Sequence, residues 1–293
     1  MAVEAAITAL DQIAKAIEAR ECILFLGAGA HAGPPPEWAA HYPPEQRPPI
    51  GSQLSQALAR QLRLEERFPH EDPANLQRVS LFYEIEQGRG ALIDAVTREV
   101  AEGTEPSPML GALARLDFPV VITTNYDRLF ERALYAAGKE PRVSIYDPED
   151  VPTVDYPRPT AESPVVWKIH GDVSRRESVV ITDEDYIQFV LRMSSKEPYD
   201  PFPRRLKVQL VDWTTVFVGY SLLDYNLRLL FKTLRWQIDR SAFPAMYSVD
   251  FKPDPLILDV YEKQRRYLKF IAQNVWSFVP ALSLRVTGKE LEP

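Results

Sequence analysis

Five consecutive side chains with hydrogen-bonding groups stand where a predicted buried strand meets a predicted amphipathic helix. They are Thr123, Thr124, Asn125, Tyr126 and Asp127, in the stretch VVITTNYDRLFERAL. An amide can hold a hydroxyl group or a water molecule, and a carboxylate can steady its neighbours or cap the helix. Capping explains one polar residue well and five in a row poorly, so the stretch predicts a ligand site.

Three other predicted strands also end in a polar or glycine-rich turn. Gly27-Ala28-Gly29 would let backbone N–H groups approach a phosphate closely, although the full G-x-G-x-x-G fingerprint is not met. His170 follows another strand and can take up a proton near neutral pH. Gly219-Tyr220-Ser221 ends a further strand, with Asp224 at the start of the next helix. A tight turn, a structural histidine or a helix cap would explain each one separately, but their recurrence favours one site.

Apolar runs without alternation predict the strands that must position these groups, because a strand buried on both faces has no polar side. They lie at 22–30, 118–124, 164–171, 178–182, 214–221, 245–250 and 274–280. Helical patterns lie at 51–64, 75–87, 91–101, 126–137, 183–191, 202–212, 224–238 and 256–272. Asp224 and Asn226 begin the helix predicted over 224–238, just after the strand predicted over 214–221. Thr182 and Asp185 form a capping pattern for the helix predicted over 183–191.

Strands that alternate with helices predict an α/β fold, namely a Rossmann-like, mostly parallel sheet with helices on both faces. The section 51–117 has helical patterns and no obvious strand. We therefore expect a single domain over residues 1–293, with 51–117 as an inserted helical subdomain. Since the carboxyl ends of parallel strands lie at one rim of the sheet, the four polar turns should meet there.

The composition argues against several classes of protein. The net charge of -7 disfavours direct binding to nucleic acid or to an anionic membrane. Cys22 is the one cysteine, so an internal disulfide and a zinc module of several thiolates are excluded and no metal is expected. No apolar run approaches the length of a membrane span, and the N-terminal stretch does not resemble a secretory signal, which predicts a cytoplasmic protein.

Proline is enriched, with 26 residues in a chain of 293, and residues 34–49 are especially rich in it. Because proline fixes φ and lacks an N–H group, this stretch predicts a long, stiff loop rather than a helix or a central strand. Long loops within compact domains are often functional.

The ordered motifs resemble those of the SIR2-like family over roughly residues 20–250. They are G-A-G (27–29), T-T-N-Y-D (123–127), K-I-H-G (168–171) and G-Y-S-x-x-D-x-N (219–226). The likeness is strongest to the bacterial, defence-associated branch. The chain departs from the sirtuin deacylases in lacking four zinc cysteines and the segment G-I-P-D-F-R, and in carrying His31 where that family has serine. These departures disfavour deacylation and fit relatives that hydrolyse NAD⁺.

The resemblance implies an NAD⁺ glycohydrolase that releases nicotinamide and ADP-ribose, as a regulated NAD-depleting effector of antiphage defence. Cleavage would pass through an oxocarbenium-like ribose. Asn125 would hold a ribose hydroxyl or the water, His170 would accept a proton, and Asp127 would steady the network. The proline-rich loop would close over nicotinamide. The predicted NAD⁺-binding set is Gly27, Ala28, Gly29, Thr124, Gly219, Ser221 and Asp224.

Three other functions remain open from the sequence. The same pocket could sense NAD⁺ or ADP-ribose without cleaving it, or belong to a zinc-free deacylase or ADP-ribosyltransferase. A dehydrogenase needs an acidic residue about 20 positions beyond the first glycines. Glu45 is near that position but lies inside the proline-rich loop, so a dehydrogenase is disfavoured.

Unrestrained NAD⁺ hydrolysis would harm the host, so we expect regulation. By the resemblance, control would come from a homo-oligomer or an activating partner, such as a HerA-type ATPase or an Argonaute-type protein. Residues 1–20 have the pattern of an amphipathic helix, and this helix and the 51–117 section are the candidate surfaces.

Overall fold

The computed structural model describes residues 2–147, 158–195, 203–220, 245–256, 258–259 and 268–291. In these ranges seven strands form one sheet, and every neighbouring pair is parallel. The strands are β1 (Cys22–Leu26), β2 (Val120–Thr123), β3 (Arg142–Ile145), β4 (Val165–Lys168), β5 (Thr214–Val218), β6 (Met246–Val249) and β7 (Leu268–Ile271). Their spatial order is β3-β4-β2-β1-β5-β6-β7, which places β1 at the centre.

Helices cover both faces of this sheet, as the sequence predicts. The described α-helices are α1 (Ala2–Glu18), α2 (Gly51–Gln61), α3 (Leu64–Arg67), α4 (Leu76–Gln87), α5 (Arg89–Ala101), α6 (Pro108–Arg115), α7 (Leu129–Ala136), α8 (Asp183–Ser194), α9 (Arg204–Asp212) and α10 (Val275–Thr287). Successive strand side chains point to opposite faces. Leu24 therefore packs in the core under α1, α6, α7 and α10, whereas Phe25 packs in the core under α8 and α9. The α/β fold is confirmed.

A third apolar core lies among α2, α4 and α5. Leu58, Val79 and Val96 are buried there, and Tyr126 joins them from the turn after β2. In contrast, α6 packs on the sheet through Leu110 and Leu113. The division of residues 51–117 as an inserted subdomain remains a proposal, and the separate core supports it for the part from α2 to α5.

Two predicted strands are wrong. Residues 178–182 form no strand: Ser178 ends a 3₁₀ turn, and the carbonyl oxygens of Val179 and Val180 accept hydrogen bonds from the side chains of Arg89 and Tyr126. Residues 274–280 begin α10 instead, where the side chain of Asn274 accepts the N–H of Ser277 at 2.9 Å and caps the helix.

Two observed strands were missed. The sequence of β3 is only four residues long and half exposed, so it shows no buried run. The sequence of β7 lies inside the helix predicted over 256–272. Most of that predicted helix, and all of the helix predicted over 224–238, lies outside the described residues.

The starts of two predicted helices can be compared with the structure. Thr182 and Asp185 form the predicted capping box at the start of α8, with N–H to side-chain oxygen distances of 3.1 and 3.0 Å. The helix predicted over 126–137 begins only at Leu129, since Tyr126 and Asp127 form a bend after β2.

The glycine turn after β1 packs directly against the turn after β5. Gly27 and Gly29 donate their N–H groups to the carbonyl oxygens of Val218 and Gly219 at 3.0 and 2.7 Å. A Cβ atom on Gly27 or Gly29 would lie only 2.5 or 2.8 Å from the Gly219 oxygen. Glycine is therefore required here for the approach of two backbones.

We predict that Gly219→Ala destabilises the fold far more than Gly138→Ala. Both glycines have a positive φ, +68° and +76°, which costs alanine about 1–2 kcal/mol. At Gly219 the new Cβ would also lie 1.9 Å from the Ala30 nitrogen, whereas at Gly138 nothing lies within 4 Å. Thermal or urea unfolding should show a loss of roughly 3 kcal/mol or more for Gly219→Ala. Equal losses in the two variants would contradict the packing described here.

Candidate active site

A cavity of about 550 Å³ opens at the carboxyl ends of the central strands. Asn125 and His170, the two predicted catalytic residues, both line it. Ala28, Gly29 and Gly219 line it from the two glycine turns. Four turns that are far apart in the chain thus meet at one cavity, and its volume is in the range of small-molecule sites.

Strand register explains why Asn125 and His170 share this cavity. Strands β2 and β4 are parallel neighbours, and Thr123 pairs with Lys168 in their last register position. Asn125 and His170 each follow that pair by two residues, so they leave the sheet side by side. Neighbouring strands lie roughly 4.8 Å apart, which keeps the two turns close.

Asn125 belongs to a hydrogen-bonded cluster with a carboxylate and a second imidazole. The Nε2 atom of His31 lies 3.1 Å from Asp127 Oδ2 and 3.0 Å from Asn125 Nδ2. The other carboxylate oxygen of Asp127 accepts the N–H of Leu129, the first residue of α7, at 2.9 Å. The backbone N–H of Asn125 donates to Thr123 Oγ1 at 3.0 Å. Asp127 therefore serves the helix and the cluster at the same time.

The Asp127 carboxylate is ionised in this site. Burial by itself raises its pKa, but the charge and hydrogen bond of His31, the charge of Lys168 and the Leu129 N–H outweigh burial and hold the pKa at about 2. A folded-state pKa below the ordinary value stabilises the fold above pH 4, and this stabilisation is lost as the pH falls toward 2. At neutral pH Asp127 is a fixed negative charge beside the cavity.

His170 is buried and is held between aromatic rings. Its Nδ1 atom lies 3.4 Å from the hydroxyl oxygen of Tyr186, and its ring meets those of Tyr186 and Phe189 edge to face. Its backbone oxygen accepts the N–H of Val180 at 3.0 Å. Tyr186 also lines the cavity, so α8 both orients the imidazole and forms part of the wall.

A fully buried ammonium group lies beneath these residues. Lys168 Nζ is 2.8 Å from Asp172 Oδ2 and 3.2 Å from Glu131 Oε1, and it also donates to the backbone oxygen of Asp127. Burial lowers the pKa of Lys168, but the charges of Glu131, Asp172 and Asp127 outweigh burial and raise it. This charged group ties β4 to α7 and to the turn that carries Asn125.

The other predicted site residues have more varied positions. Thr124 lines the cavity and donates its N–H to Leu26 at 3.2 Å, while Gly27 contacts the second glycine turn and is not among the lining residues. Ser221 and Asp224 lie outside the described residues. Tyr126 packs in the helical core and lines the cavity, with its hydroxyl donating to Val180.

The proline-rich loop lies mostly elsewhere. It contains two short 3₁₀ turns, and its Trp38 and Tyr42 rings pack against Trp276 of α10. Of residues 34–49 only Pro49 lines the cavity. The loop as described is anchored on α10 and, apart from Pro49, does not line the cavity that holds Asn125 and His170.

Sequence reasoning missed two residues of the site. His31 was noted only as a departure from the serine of a related family, yet it contacts both Asn125 and Asp127. The sequence pattern gives Tyr186 no role beyond the helix predicted over 183–191, yet its hydroxyl oxygen lies 3.4 Å from His170 Nδ1. Only the position of His31, directly after the glycine turn, was a signal.

Two features are absent from the described ranges. Among those residues no group of three or more histidine, cysteine, aspartate or glutamate side chains is arranged to hold a metal ion. In the same ranges no helix has the length and apolar character needed to cross a membrane.

The fold and this site define a class of protein. The SIR2-like domain family matches residues 119–274, more than half of the chain, and the chain belongs to that family. The match begins just before β2 and ends at the cap of α10, so it contains Asn125, His170 and the second glycine turn.

Particular relatives are similar to a larger part of the chain. The NAD(+) hydrolase ThsA of Acinetobacter baumannii (strain 532279) is 29% identical over 79% of this chain and 43% of that protein. The NAD(+) hydrolase ThsA of Bacillus cereus (strain MSX-D12) is 29% identical over 64% of this chain and 38% of that protein. Defense-associated sirtuin 2 of Bacillus subtilis is 27% identical over 60% of this chain and 16% of that protein. The chain spans less than half the length of these relatives.

We predict that Lys168→Met lowers the free energy of unfolding by ~3–5 kcal/mol at pH 7, because it leaves two buried carboxylates without their cation. Since the pKa of Lys168 is raised in the fold, its contribution persists up to and beyond the ordinary lysine pKa of about 10.4. The loss should shrink in acid, where protons neutralise the carboxylates. Urea unfolding at pH 4.5, 7 and 9 measures this, with exposed Lys15→Met as the control. A loss below 1 kcal/mol at pH 7 would refute the role of Lys168.

Proposed function

We propose that this chain is an NAD⁺ glycohydrolase, which cleaves the bond between nicotinamide and ribose and yields nicotinamide and ADP-ribose. The observation that carries the proposal is the meeting of Asn125 and His170 in one cavity at the carboxyl ends of the strands. Membership of the SIR2-like family and the names of the similar NAD(+) hydrolases support it.

The reaction requires little bond-making by the protein. Nicotinamide is a cationic leaving group, and its departure leaves positive charge on the ribose, as in other glycosidic cleavages. The protein must therefore hold the dinucleotide, stabilise that charge and supply a water molecule. The ionised Asp127 beside the cavity provides a negative potential of the correct sign.

The two predicted catalytic side chains have separate tasks. Asn125, a neutral amide, holds a ribose hydroxyl or the attacking water without carrying a proton itself. His170 accepts the proton that the hydroxyl or water releases, and Tyr186 keeps its ring in place through Nδ1. Asp127 steadies the Asn125 turn through the hydrogen bonds to His31 and Leu129.

Few backbone N–H groups of the first glycine turn are free to bind the phosphates of the dinucleotide. The N–H groups of Gly27 and Gly29 already donate to the second glycine turn. We therefore propose that these glycines act by shaping the floor of the phosphate site, with Ala28, Gly29, Thr124 and Gly219 forming its surface. Ser221 and Asp224 remain part of the proposed binding set.

Regulation is part of the proposal, because unrestrained loss of NAD⁺ would damage the cell that makes the protein. We propose that a homo-oligomer or an activating partner protein controls hydrolysis of the cytoplasmic NAD⁺ pool during defence against phage. The name of the Bacillus subtilis relative, a defense-associated sirtuin, supports the defence setting. Measuring the oligomer mass beside the hydrolysis rate tests the self-assembly part.

We predict that the purified chain releases nicotinamide from NAD⁺, and that Asn125→Ala and His170→Ala each reduce the rate at least a hundredfold. Loss of a positioned proton acceptor alone typically costs 10²–10⁴-fold. Chromatography of nicotinamide and ADP-ribose measures the rate, and thermal unfolding checks that each variant is folded.

His70→Ala is the matched control, because His70 is exposed and does not line the cavity. It should leave the rate unchanged. Full activity in Asn125→Ala or His170→Ala would remove that residue from the mechanism. Stabilisation by NAD⁺ without turnover in any assembly state would instead indicate a sensor of NAD⁺.

A further inference from the structure

His31 is the side chain that joins the carboxylate of Asp127 to the amide of Asn125. His31 is 3% exposed, and its Nε2 atom lies 3.1 Å from Asp127 Oδ2 and 3.0 Å from Asn125 Nδ2. One imidazole nitrogen therefore has two hydrogen-bonding neighbours. What each neighbour can do depends on whether that nitrogen carries a proton.

The carboxylate decides where the imidazole proton lies. Asp127 is ionised and can only accept hydrogen bonds, so His31 Nε2 must carry a proton to donate to Oδ2. The other nitrogen, Nδ1, is buried and has no hydrogen-bond partner among the described residues. Among the described residues the geometry therefore offers an acceptor for a proton on Nε2 and none for a proton on Nδ1.

A protonated Nε2 also decides the orientation of the Asn125 amide. The oxygen and nitrogen ends of an amide have the same shape, so the available hydrogen bonds determine which end faces His31. An NH₂ group at 3.0 Å from an N–H would place two donors together. The contact between Asn125 Nδ2 and Gly27 oxygen, at 3.5 Å, is too long to outweigh that conflict.

We propose that His31 is a positioning residue, which donates its Nε2 proton to Asp127 and to the oxygen of Asn125 and so fixes which end of that amide meets the ligand. The NH₂ end then takes the position of Asn125 Oδ1, a buried atom with no hydrogen-bond partner among the described residues, and a ribose hydroxyl or the water would supply that partner. This inference rests on the proposed NAD⁺ hydrolysis, in which Asn125 holds one of those groups.

The structure also indicates how to reverse the orientation without changing the shape of the site. Leu129 N–H donates to Asp127 Oδ1, so in Asp127→Asn the amide oxygen must take the Oδ1 position. Its NH₂ group would then face His31 Nε2, which would have to become the acceptor. The ring proton would move to Nδ1, and Asn125 would lose its donor.

Two substitutions at His31 distinguish a positioning role from a role as proton acceptor and from a role in packing alone. Gln is of similar reach and has an NH₂ group that can donate to both Asp127 and Asn125, but it is not a base. Met has a similar reach and no N–H. We expect His31→Gln to keep kcat for NAD⁺ hydrolysis within about tenfold, and His31→Met and Asp127→Asn to lower kcat at least a hundredfold. His70→Gln serves as the control and should match the wild type.

Each other pattern overturns the proposal. Equal losses in His31→Gln and His31→Met would make the imidazole itself a proton acceptor. Full activity in folded His31→Met would leave His31 with a packing role only. Thermal unfolding of every variant excludes loss of the fold as the cause.

A second measurement stands independently of turnover and so separates this inference from the proposed function. The chain has only 4 histidines, so ¹⁵N NMR of the imidazoles can be assigned by the signal missing in His31→Gln. We expect His31 to carry its proton on Nε2 in the wild type and on Nδ1 in Asp127→Asn. A wild-type ring protonated on Nδ1 alone would refute the proposal, even if NAD⁺ is hydrolysed. The expected tautomers without hydrolysis would refute only the proposed function.

Discussion

The buried charge of Lys168 is the interaction on which the candidate site depends. Its ammonium group has lost all contact with water and is compensated by Glu131, Asp172 and the backbone oxygen of Asp127. Such a group is tolerated only when every partner is in place. One cation therefore fixes the end of β4, the first turn of α7 and the turn between β2 and α7 relative to one another.

The two catalytic candidates extend from this fixed frame. His170 follows Lys168 by two residues, and Asn125 precedes Asp127, whose backbone oxygen the same ammonium binds. On the other side of β1, the glycine turns pack so closely that a single Cβ atom would separate them. The buried contacts of Lys168 hold one wall of the cavity, and backbone contacts between the two glycine turns hold the other.

The sequence predicted the central strands well, because a strand buried on both faces is a continuous apolar run. It failed at the edges of the sheet, where that signal weakens. Strand β3 is half exposed, and β7 reads as part of a helix. Residues 178–182 have the composition of a strand, but Arg89 and Tyr126 take their hydrogen bonds. Such competition between side chains and strand pairing depends on partners that are distant in the chain.

The sequence by itself determined that an amide, a carboxylate and an imidazole follow parallel strands, and therefore that they lie at one rim. Residue types and the apolar runs that predict strands are local properties of the sequence. The geometry of a parallel sheet then places the carboxyl ends of those strands at one rim. Only the tertiary structure decided that His31 joins that group, that Tyr186 orients His170, and that the proline-rich loop packs on α10. These contacts connect segments from different elements, and their distances depend on how the elements pack rather than on any local pattern.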